Sequence, residues 1–256
     1  MKKYILDLTV RKNERLNDTN VLLVLSSTEK LPEILPGQFV EAKVENSPAT
    51  FLRRPISVHN VDYEANELWL LVQIVGEGTR KLSELKPNDM LNLIVPLGKS
   101  FTLPEKQDAK ILLVGGGVGI APLLYWGKFL KMKGYDCTFL LGGRSKENLI
   151  QMLEFEKVGE VLTTTEDGSM GEKGFVTQHS VLEKVKFDAI YTCGPTPMMR
   201  AVAEYAKRTN TFCEVSLENT MACGIGACLC CVTDTVDGHV CVCTEGAVFN
   251  IEKLKW

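Results

Sequence analysis

The sequence contains no uninterrupted apolar run of about 18 residues, the length that lets a helix cross a bilayer, although 45% of its 256 residues are hydrophobic. A membrane-spanning helix is therefore not expected. The N-terminal stretch "MKKYILDLTVRKNER" is basic, but Asp7 and Arg11 interrupt its apolar residues, so it does not read as a signal peptide and a cytoplasmic protein is expected. An excess of positive charge is also missing. Twenty-nine Lys and Arg stand against 32 Asp and Glu, a net charge of -3, which leaves no overall basic field for nucleic acid. Histidine is scarce: His59, His179 and His239 form no pair at ligand spacing and are expected to be structural or solvent-facing. Internal repeats and low-complexity linkers are absent, so the parts of the chain are expected to pack together.

Two domains of ordinary size fit this length, with a small module at one end. Up to residue 103 the chain carries short runs rich in Val, Ile and Leu, namely "TNVLLVLSS", "QFVEAKV", "ELWLLVQIV" and "MLNLIVPLG", separated by turn signals such as Pro36-Gly37 and Pro87-Asn88-Asp89. That spacing predicts an antiparallel barrel or sandwich. From 104 to 215, strand-like and helix-like segments alternate: "AKILLVGGG" and a helix over 122–133, then "DCTFLLGG" and "SKENLIQMLEFEKV", then "GEVLTTTEDGS", "FDAIYTCGP" and "TPMMRAVAEYAKR". Alternation of this kind encodes a parallel sheet with helices on its faces. Residues 216–256 break the pattern and form a third, cysteine-rich segment.

In the α/β part, "VGGGVGIAP" follows an apolar strand and opens a helix. Gly115, Gly116, Gly117 and Gly119 can turn the chain sharply and aim backbone N–H groups at phosphates, although the third glycine of a G-x-G-x-x-G pattern is replaced by Ile120. "TCGPTPMM" ends a later strand, so Cys193, Gly194 and Pro195 are expected at the same carboxyl edge of the sheet, where ligands of such sheets bind. The alternatives are a tight strand-to-helix turn and a buried strand-end cysteine. In the β part, "FLRRPISVHN" sends Arg54 and Ser57 to defined places around Pro55 and Ile56, a guanidinium suited to phosphate oxygens and a hydroxyl suited to a ring nitrogen. "VGEGTRKLSEL" adds Gly76, Gly78 and Thr79 before a short helix, a set suited to pyrophosphate. Either stretch alone reads equally as an ordinary loop.

Nine cysteines without an export signal point to metal or redox chemistry, because the cytosol keeps thiols reduced. Six of them lie in "MACGIGACLCCVTDTVDGHVCVC". Cys223, Cys228 and Cys231 form C-x4-C-x2-C, with Cys243 after eleven intervening residues, the plant-type spacing of a [2Fe–2S] cluster. Gly224 and Gly226 allow the loop to wrap around such a cluster. A structural zinc site is the alternative, but zinc modules pair cysteines twice at C-x2-4-C, and the second pair here would have to be Cys241-x-Cys243. Cys230, beside Cys231, is expected to point elsewhere, and Cys241 competes for the fourth place.

The order of these pieces resembles the ferredoxin-reductase family of flavoproteins, in which an FAD-binding barrel with an Arg-x-x-Ser or Arg-x-x-Thr segment precedes a nicotinamide-binding α/β domain. This resemblance implies that Arg54, Pro55, Ile56 and Ser57 hold FAD, that Leu71, Val72 and Gln73 line it, and that Gly78 and Thr79 bind its pyrophosphate. It also implies that Gly115 to Gly119 and Cys193 to Pro195 face NAD, with "GGRSK" near the adenosine ribose. Arg144 and Lys146 would attract a 2′-phosphate whereas Glu166 and Asp167 would disfavour one, so NAD against NADP stays open. "SLENTMACGIGACLCCV" and "VCTEGAVF" resemble the iron-sulfur segment of the electron-transfer subunits of type B dihydroorotate dehydrogenases, where the fourth ligand precedes Gly-x-Val-Phe. Cys230 replaces a usual small residue and Ala247 a usual Pro. That resemblance implies Cys223, Cys228, Cys231 and Cys243 as ligands and a part in pyrimidine biosynthesis. It further implies a partner, a catalytic FMN-containing subunit folded as an α/β barrel, in a heterotetramer of two of each. A reductase subunit serving a hydrogenase or glutamate synthase, and a zinc-stabilised nucleotide-binding module, are the other expectations. The tail "AVFNIEKLKW" offers Val248, Phe249, Leu254 and Trp256 for the partner, or for packing on its own domain.

Overall fold

The computed structural model describes residues 2–256. Its first six strands, β1 (Tyr4–Arg15), β2 (Asn20–Ser26), β3 (Phe39–Ala42), β4 (Arg54–Asp62), β5 (Glu67–Gln73) and β6 (Met90–Leu97), close into an antiparallel barrel of order β1-β2-β5-β4-β3-β6. Alternation drives the closure: Leu8 and Val10 of β1 are fully buried while Asp7 before them and Thr9 between them are not. β2 is apolar almost throughout and nearly all of it is buried. The helix α1 (Glu77–Ser83) lies between β5 and β6 in sequence.

A second sheet holds β7 (Ile111–Gly116), β8 (Cys137–Gly143), β9 (Glu160–Thr165), the short β10 (Glu172–Lys173), β11 (Ala189–Cys193) and β12 (Phe212–Ser216). The first helix here, α2 (Ala121–Met132), is followed by the short α3 (Met152–Glu156) and α4 (Val181–Lys184), then by α5 (Thr196–Thr209). After the hairpin β13 (Val232–Thr235) and β14 (Gly238–Cys241) come one turn of helix, α6 (Val242–Glu245), and the strand β15 (Val248–Asn250). The large sheet runs β10-β9-β8-β7-β11-β12-β15, and its pairs from β10 to β12 are parallel. Strand order reverses at β7, which has β8 on one side and β11 on the other. A crevice therefore opens at their carboxyl ends. Beneath it, Trp126 of α2 packs against Phe101 and Tyr191 with ring centroids 5.5 and 5.2 Å apart.

The chain divides into two compact units. One comprises the residues up to Ser100 together with Leu217–Val248, the other Phe101–Ser216 together with Phe249–Trp256. The cysteine-rich segment thus shares a unit with the barrel. Its end is pinned there: Lys99 N–H donates to the Gly246 carbonyl, and the Lys99 ammonium pairs with Glu245 at 2.6 Å. No helix among the described residues is long and apolar enough to cross a membrane.

Three local features differ from the sequence reading. β1 is a full-length strand in the stretch read only for what it is not. The segment "SKENLIQMLEFEKV" is broken, because the Asn148 side chain accepts from Ser145 N–H at 3.1 Å and Gln151 adopts a left-handed φ of 60° before α3. The cysteine-rich segment contains the β13–β14 hairpin, whose two-residue turn Val236-Asp237 falls among polar residues that carry little hydrophobic signal.

Candidate functional site

The Arg-Pro-Ile-Ser segment opens β4 and pairs with β3, Arg54 opposite Ala42, Pro55 opposite Glu41, Ile56 opposite Val40 and Ser57 opposite Phe39. The two arginines have different environments. Arg53 braces the barrel: its Nη1 donates to the carbonyls of Glu41 and Asn92 at 3.1 Å, and its Nη2 to the Asn92 side chain. Arg54 uses only Nη1, on the Leu52 and Arg53 carbonyls, so its Nε and Nη2 make no hydrogen bond among the described residues. The group stands over the start of α1, where a β-carbon on Gly78 would lie 2.7 Å from Arg54 Nε. Thr79 is buried, and its hydroxyl accepts from Val75 and Gly76 N–H and donates to the Gly76 carbonyl, so it secures its own helix. Ser57 is half-buried with no hydrogen-bond partner for its hydroxyl among the described residues. Leu71 and Val72 are buried in β5, and Gln73 at its end is half-buried. A guanidinium with two nitrogens left free over a glycine, and a free hydroxyl three residues on, is a donor set that fits a dinucleotide diphosphate and a heteroaromatic ring.

In the second unit the two loops expected to share an edge meet. Cys193 pairs with Gly115 in the parallel register of β11 and β7. A β-carbon on Gly119 would overlap the backbone of Gly194, and one on Gly116 would stand 2.6 Å from Met198 Sδ and 3.2 Å from Pro195 Cδ. Gly117 takes a φ of 56° and has open space where a side chain would be. Backbone at the switch point is thus left bare for a ligand to approach. At the ends of β8 and β9, Glu166 N–H donates to the Gly143 carbonyl, Asp167 N–H to the Arg144 carbonyl and Lys146 N–H to Ser169 Oγ. The acidic and basic residues of "GGRSK" and "TTTED" are therefore neighbours, and the Ser169 hydroxyl holds Asp167 below the usual carboxylate range.

The cysteine loop is built from left-handed turns at Gly224, Gly226 and Leu229, φ 65°, 82° and 59°. Those turns aim backbone N–H groups at sulfur. Ile225 N–H points to Cys223 Sγ at 3.4 Å, Gly226 N–H to Cys243 Sγ at 3.2 Å, Cys230 N–H to Cys228 Sγ at 3.4 Å and Cys243 N–H to Cys231 Sγ at 3.4 Å. Each of the four sulfurs in the ligand pattern thus accepts a backbone donor. Among the described residues Cys230 and Cys241 accept none, and the Cys230 thiol instead points to the Thr220 carbonyl at 3.6 Å. The Ile225 N–H, foremost, pulls the Cys223 thiol down to about 6, while burial, foremost, pushes Cys243 up to about 12 and also raises Cys241. No three His, Cys, Asp or Glu side chains among the described residues converge as one bound ion requires. A two-iron cluster spreads four sulfurs over two metal centres.

Comparison with known proteins places these features. Residues 218–255 match the iron-sulfur cluster binding domain of dihydroorotate dehydrogenase B, and residues 113–204 an oxidoreductase NAD-binding domain. The electron transfer subunit of dihydroorotate dehydrogenase B (NAD(+)) from Caldanaerobacter subterraneus is 43% identical over 86% of this chain and 86% of its own. The protein of that name from Bacillus velezensis is 36% identical over 96% and 97%. The chain belongs to the family of dihydroorotate dehydrogenase B electron transfer subunits. A solved structure of the NADH-dependent reduced ferredoxin-NADP oxidoreductase superposes on it with a TM-score of 0.87 at 31% identity, covering 97% of this chain and 90% of that one. The ferredoxin-reductase-like architecture expected from the sequence is the one observed.

Within this family member, the tail and the histidines take one of the places the sequence left open to them, and one acid takes a place it did not suggest. Val248, Phe249 and Leu254 of the tail are buried, so packing at home accounts for them, and Trp256 lies 5.9 Å from the Arg200 guanidinium. His59 and His179 are buried, and His239 is exposed beside Asp234. Glu41 was missed. Its side chain is fully buried, neither carboxylate oxygen has a partner among the described residues, and it lies against Gly224 in the cysteine loop. The available signal was an acid inside "QFVEA", a strand otherwise apolar enough to be buried on both faces.

Proposed function

We propose that this chain is the electron carrier of an NAD-dependent dihydroorotate dehydrogenase in pyrimidine synthesis. In this reading a [2Fe–2S] cluster is held by Cys223, Cys228, Cys231 and Cys243, FAD by the barrel, and NAD by the crevice beside β7. The groups supply a change of electron currency: the cluster carries one electron, the nicotinamide two as hydride, and a flavin handles both. The observation that carries the reading is the set of backbone N–H groups aimed one at each of the four sulfurs, since such donors stabilise thiolate and select the ligands from their neighbours.

The protein's own residues bind and orient. Arg54 offers two free donor positions above Gly78 for diphosphate oxygens, and Ser57 a hydroxyl to the ring held along β4. Gly115 to Gly119, with Cys193 to Pro195, present bare backbone to the nicotinamide nucleotide. The substrate site lies on a separate FMN-containing α/β-barrel subunit, two copies of each chain forming the assembly. The cysteine loop is its docking face, where Ile225 and Leu229 are 50% and 65% exposed and the electron has the shortest path to leave. Cytoplasmic residence follows from the reduced thiols such a site needs.

The likeness to the NADH-dependent reduced ferredoxin-NADP oxidoreductase favours a second reading, a reductase subunit serving a different electron partner. Co-expression with the barrel subunit separates the two. Orotate formation coupled to NAD+ reduction only when both chains are present supports the first, and a stable flavin and iron-sulfur protein that does not associate with that subunit overturns it.

A further inference from the structure

The loop that leads into β4 carries an aromatic ring that the fold leaves uncovered beside the flavin cradle. Phe51 is 92% exposed, more than any other large hydrophobic side chain among the described residues. Its backbone is nevertheless held on both sides. On one side the buried Thr50 donates its N–H to the Ser47 carbonyl at 2.9 Å, and the Ser47 hydroxyl meets Thr50 Oγ1 at 2.7 Å and donates to Glu77 Oε1 at 2.7 Å. The loop is thereby tied to the first turn of α1. On the other side the Leu52 carbonyl accepts from Arg54 Nη1 at 2.9 Å. A β-carbon on Gly78 would lie 3.1 Å from Thr50 Cγ2 and 2.7 Å from Arg54 Nε. Both chain neighbours of Phe51 therefore touch the Arg54 and Gly78 cradle, and Phe51 stands at its rim.

The order of residues along the chain follows the order of groups in a flavin dinucleotide. Ser57 offers its hydroxyl to the ring and Arg54 its free nitrogens to the diphosphate. Beyond the diphosphate comes the adenosine, and the side left for it is the one away from Ser57. There the strands leave a gap: β5 runs antiparallel to β4 with Leu70 opposite Val58, so Val75 lies past the Arg54 end of β4. Val75 is 77% exposed, and a β-carbon on the next residue, Gly76, would meet nothing within 4 Å. Adenine is flat with apolar faces, and an aromatic ring on an anchored loop stacks on it at little conformational cost. An uncovered ring at the rim of a phosphate cradle is an apolar surface suited to that base.

We propose that Phe51 is the platform on which the adenine of FAD stacks, and that this contact makes the barrel hold the dinucleotide in preference to FMN. The inference rests on the flavin reading of the barrel. It adds a binding residue outside the Arg-Pro-Ile-Ser and glycine segments.

The test measures binding of FAD and of FMN, by the change in flavin fluorescence, to the full chain stripped of flavin, as wild type, Phe51→Ala and Phe51→Trp. FMN carries the ring and one phosphate but no adenine, so it reports on the rest of the site. Phe51→Ala is expected to bind FAD about tenfold more weakly, as loss of a stack between a base and an aromatic ring does. FMN binding stays within about twofold, and Phe51→Trp, which keeps a stacking face, holds FAD within about threefold of wild type. Undiminished FAD affinity in Phe51→Ala overturns the proposal, including the case where that variant loses association with a catalytic subunit, which would assign the ring to a protein interface. An equal loss of FAD and FMN affinity overturns it too, because the loop and not the adenine contact is then affected. Where FMN binds no variant measurably, Phe51→Trp decides: recovered FAD affinity supports the stack, and affinity as low as that of Phe51→Ala overturns it. A wild-type chain that takes up neither FAD nor FMN overturns the flavin reading itself, and the proposal with it.

Discussion

Gly119 and Gly194 touch through backbone alone: a β-carbon on Gly119 would stand 2.5 Å from both the Gly194 nitrogen and the Cys193 carbonyl oxygen. The glycine loop and the Cys-Gly-Pro loop can form one ligand edge only because neither residue has a side chain at the contact. Backbone cannot swing aside as a side-chain end can, so Gly119→Ala must displace one loop. Overpacking of this kind costs about 1–3 kcal/mol. NADH-dependent dye reduction should show KM for NADH raised about tenfold or more, with FAD and iron content unchanged. A variant with wild-type KM would remove this contact from the nucleotide site.

The architecture was legible where one signal dominated. Short apolar runs between turns left a barrel or a sandwich, the family resemblance pointed to the barrel, and the alternation of strands and helices after Pro104 pointed to the parallel sheet. Cys193 and Gly115 were placed at one edge by topology alone, before any contact was known. What the sequence hid depended on pairing across long separations. Nothing in "RRP" distinguishes Arg53, which reaches Asn92, from Arg54, which does not. Glu41 acquires its meaning only when Gly224 arrives against it, 183 positions later in the chain. The break in "SKENLIQMLEFEKV" comes from Asn148 capping its own turn, a local competition that helical propensity does not weigh.

The two arginines should separate cleanly under substitution. Arg53→Ala removes three hydrogen bonds inside the barrel and leaves half-buried acceptors behind, so a stability loss of about 1–3 kcal/mol is expected. Arg54→Ala removes free donors and two local bonds, to the Leu52 and Arg53 carbonyls in an exposed turn, and should cost the FAD-free protein less than Arg53→Ala does. FAD affinity should fall about tenfold to a hundredfold, the worth of charge-assisted bonds to a diphosphate, while iron content stays. Unchanged flavin retention in Arg54→Ala would take it out of the site.

The donors at sulfur predict which cysteines matter. Cys243→Ser removes the sulfur reached by Gly226 N–H and should abolish the cluster, whereas Cys241→Ser and Cys230→Ser remove sulfurs with no backbone donor and should retain most of it. Iron and acid-labile sulfide per chain, measured after anaerobic purification, give the comparison. Equal loss in Cys241→Ser and Cys243→Ser would mean that the fourth ligand is not the one the hydrogen bonds select.

Glu214 predicts a pH dependence that belongs to the α/β unit and not to either redox group. Its Oε2 accepts from Thr102 N–H at 2.9 Å and its Oε1 from the Thr102 hydroxyl at 2.8 Å, tying the start of that unit to β12. Burial outweighs these donors and raises its pKa above the ordinary 4.5. The folded state then holds a proton that the unfolded chain releases, so stability from this group is complete below the unfolded value and is lost as pH rises through the folded one. Glu214→Gln cannot ionise but keeps one acceptor for Thr102. Its melting temperature, lower than wild type in acid by the lost acceptor, should gain on wild type as pH rises from about 4 to about 8. Parallel curves would show that Glu214 titrates alike in the folded and the unfolded chain, and a Glu214→Gln curve that falls behind wild type would show the Thr102 donors outweighing burial.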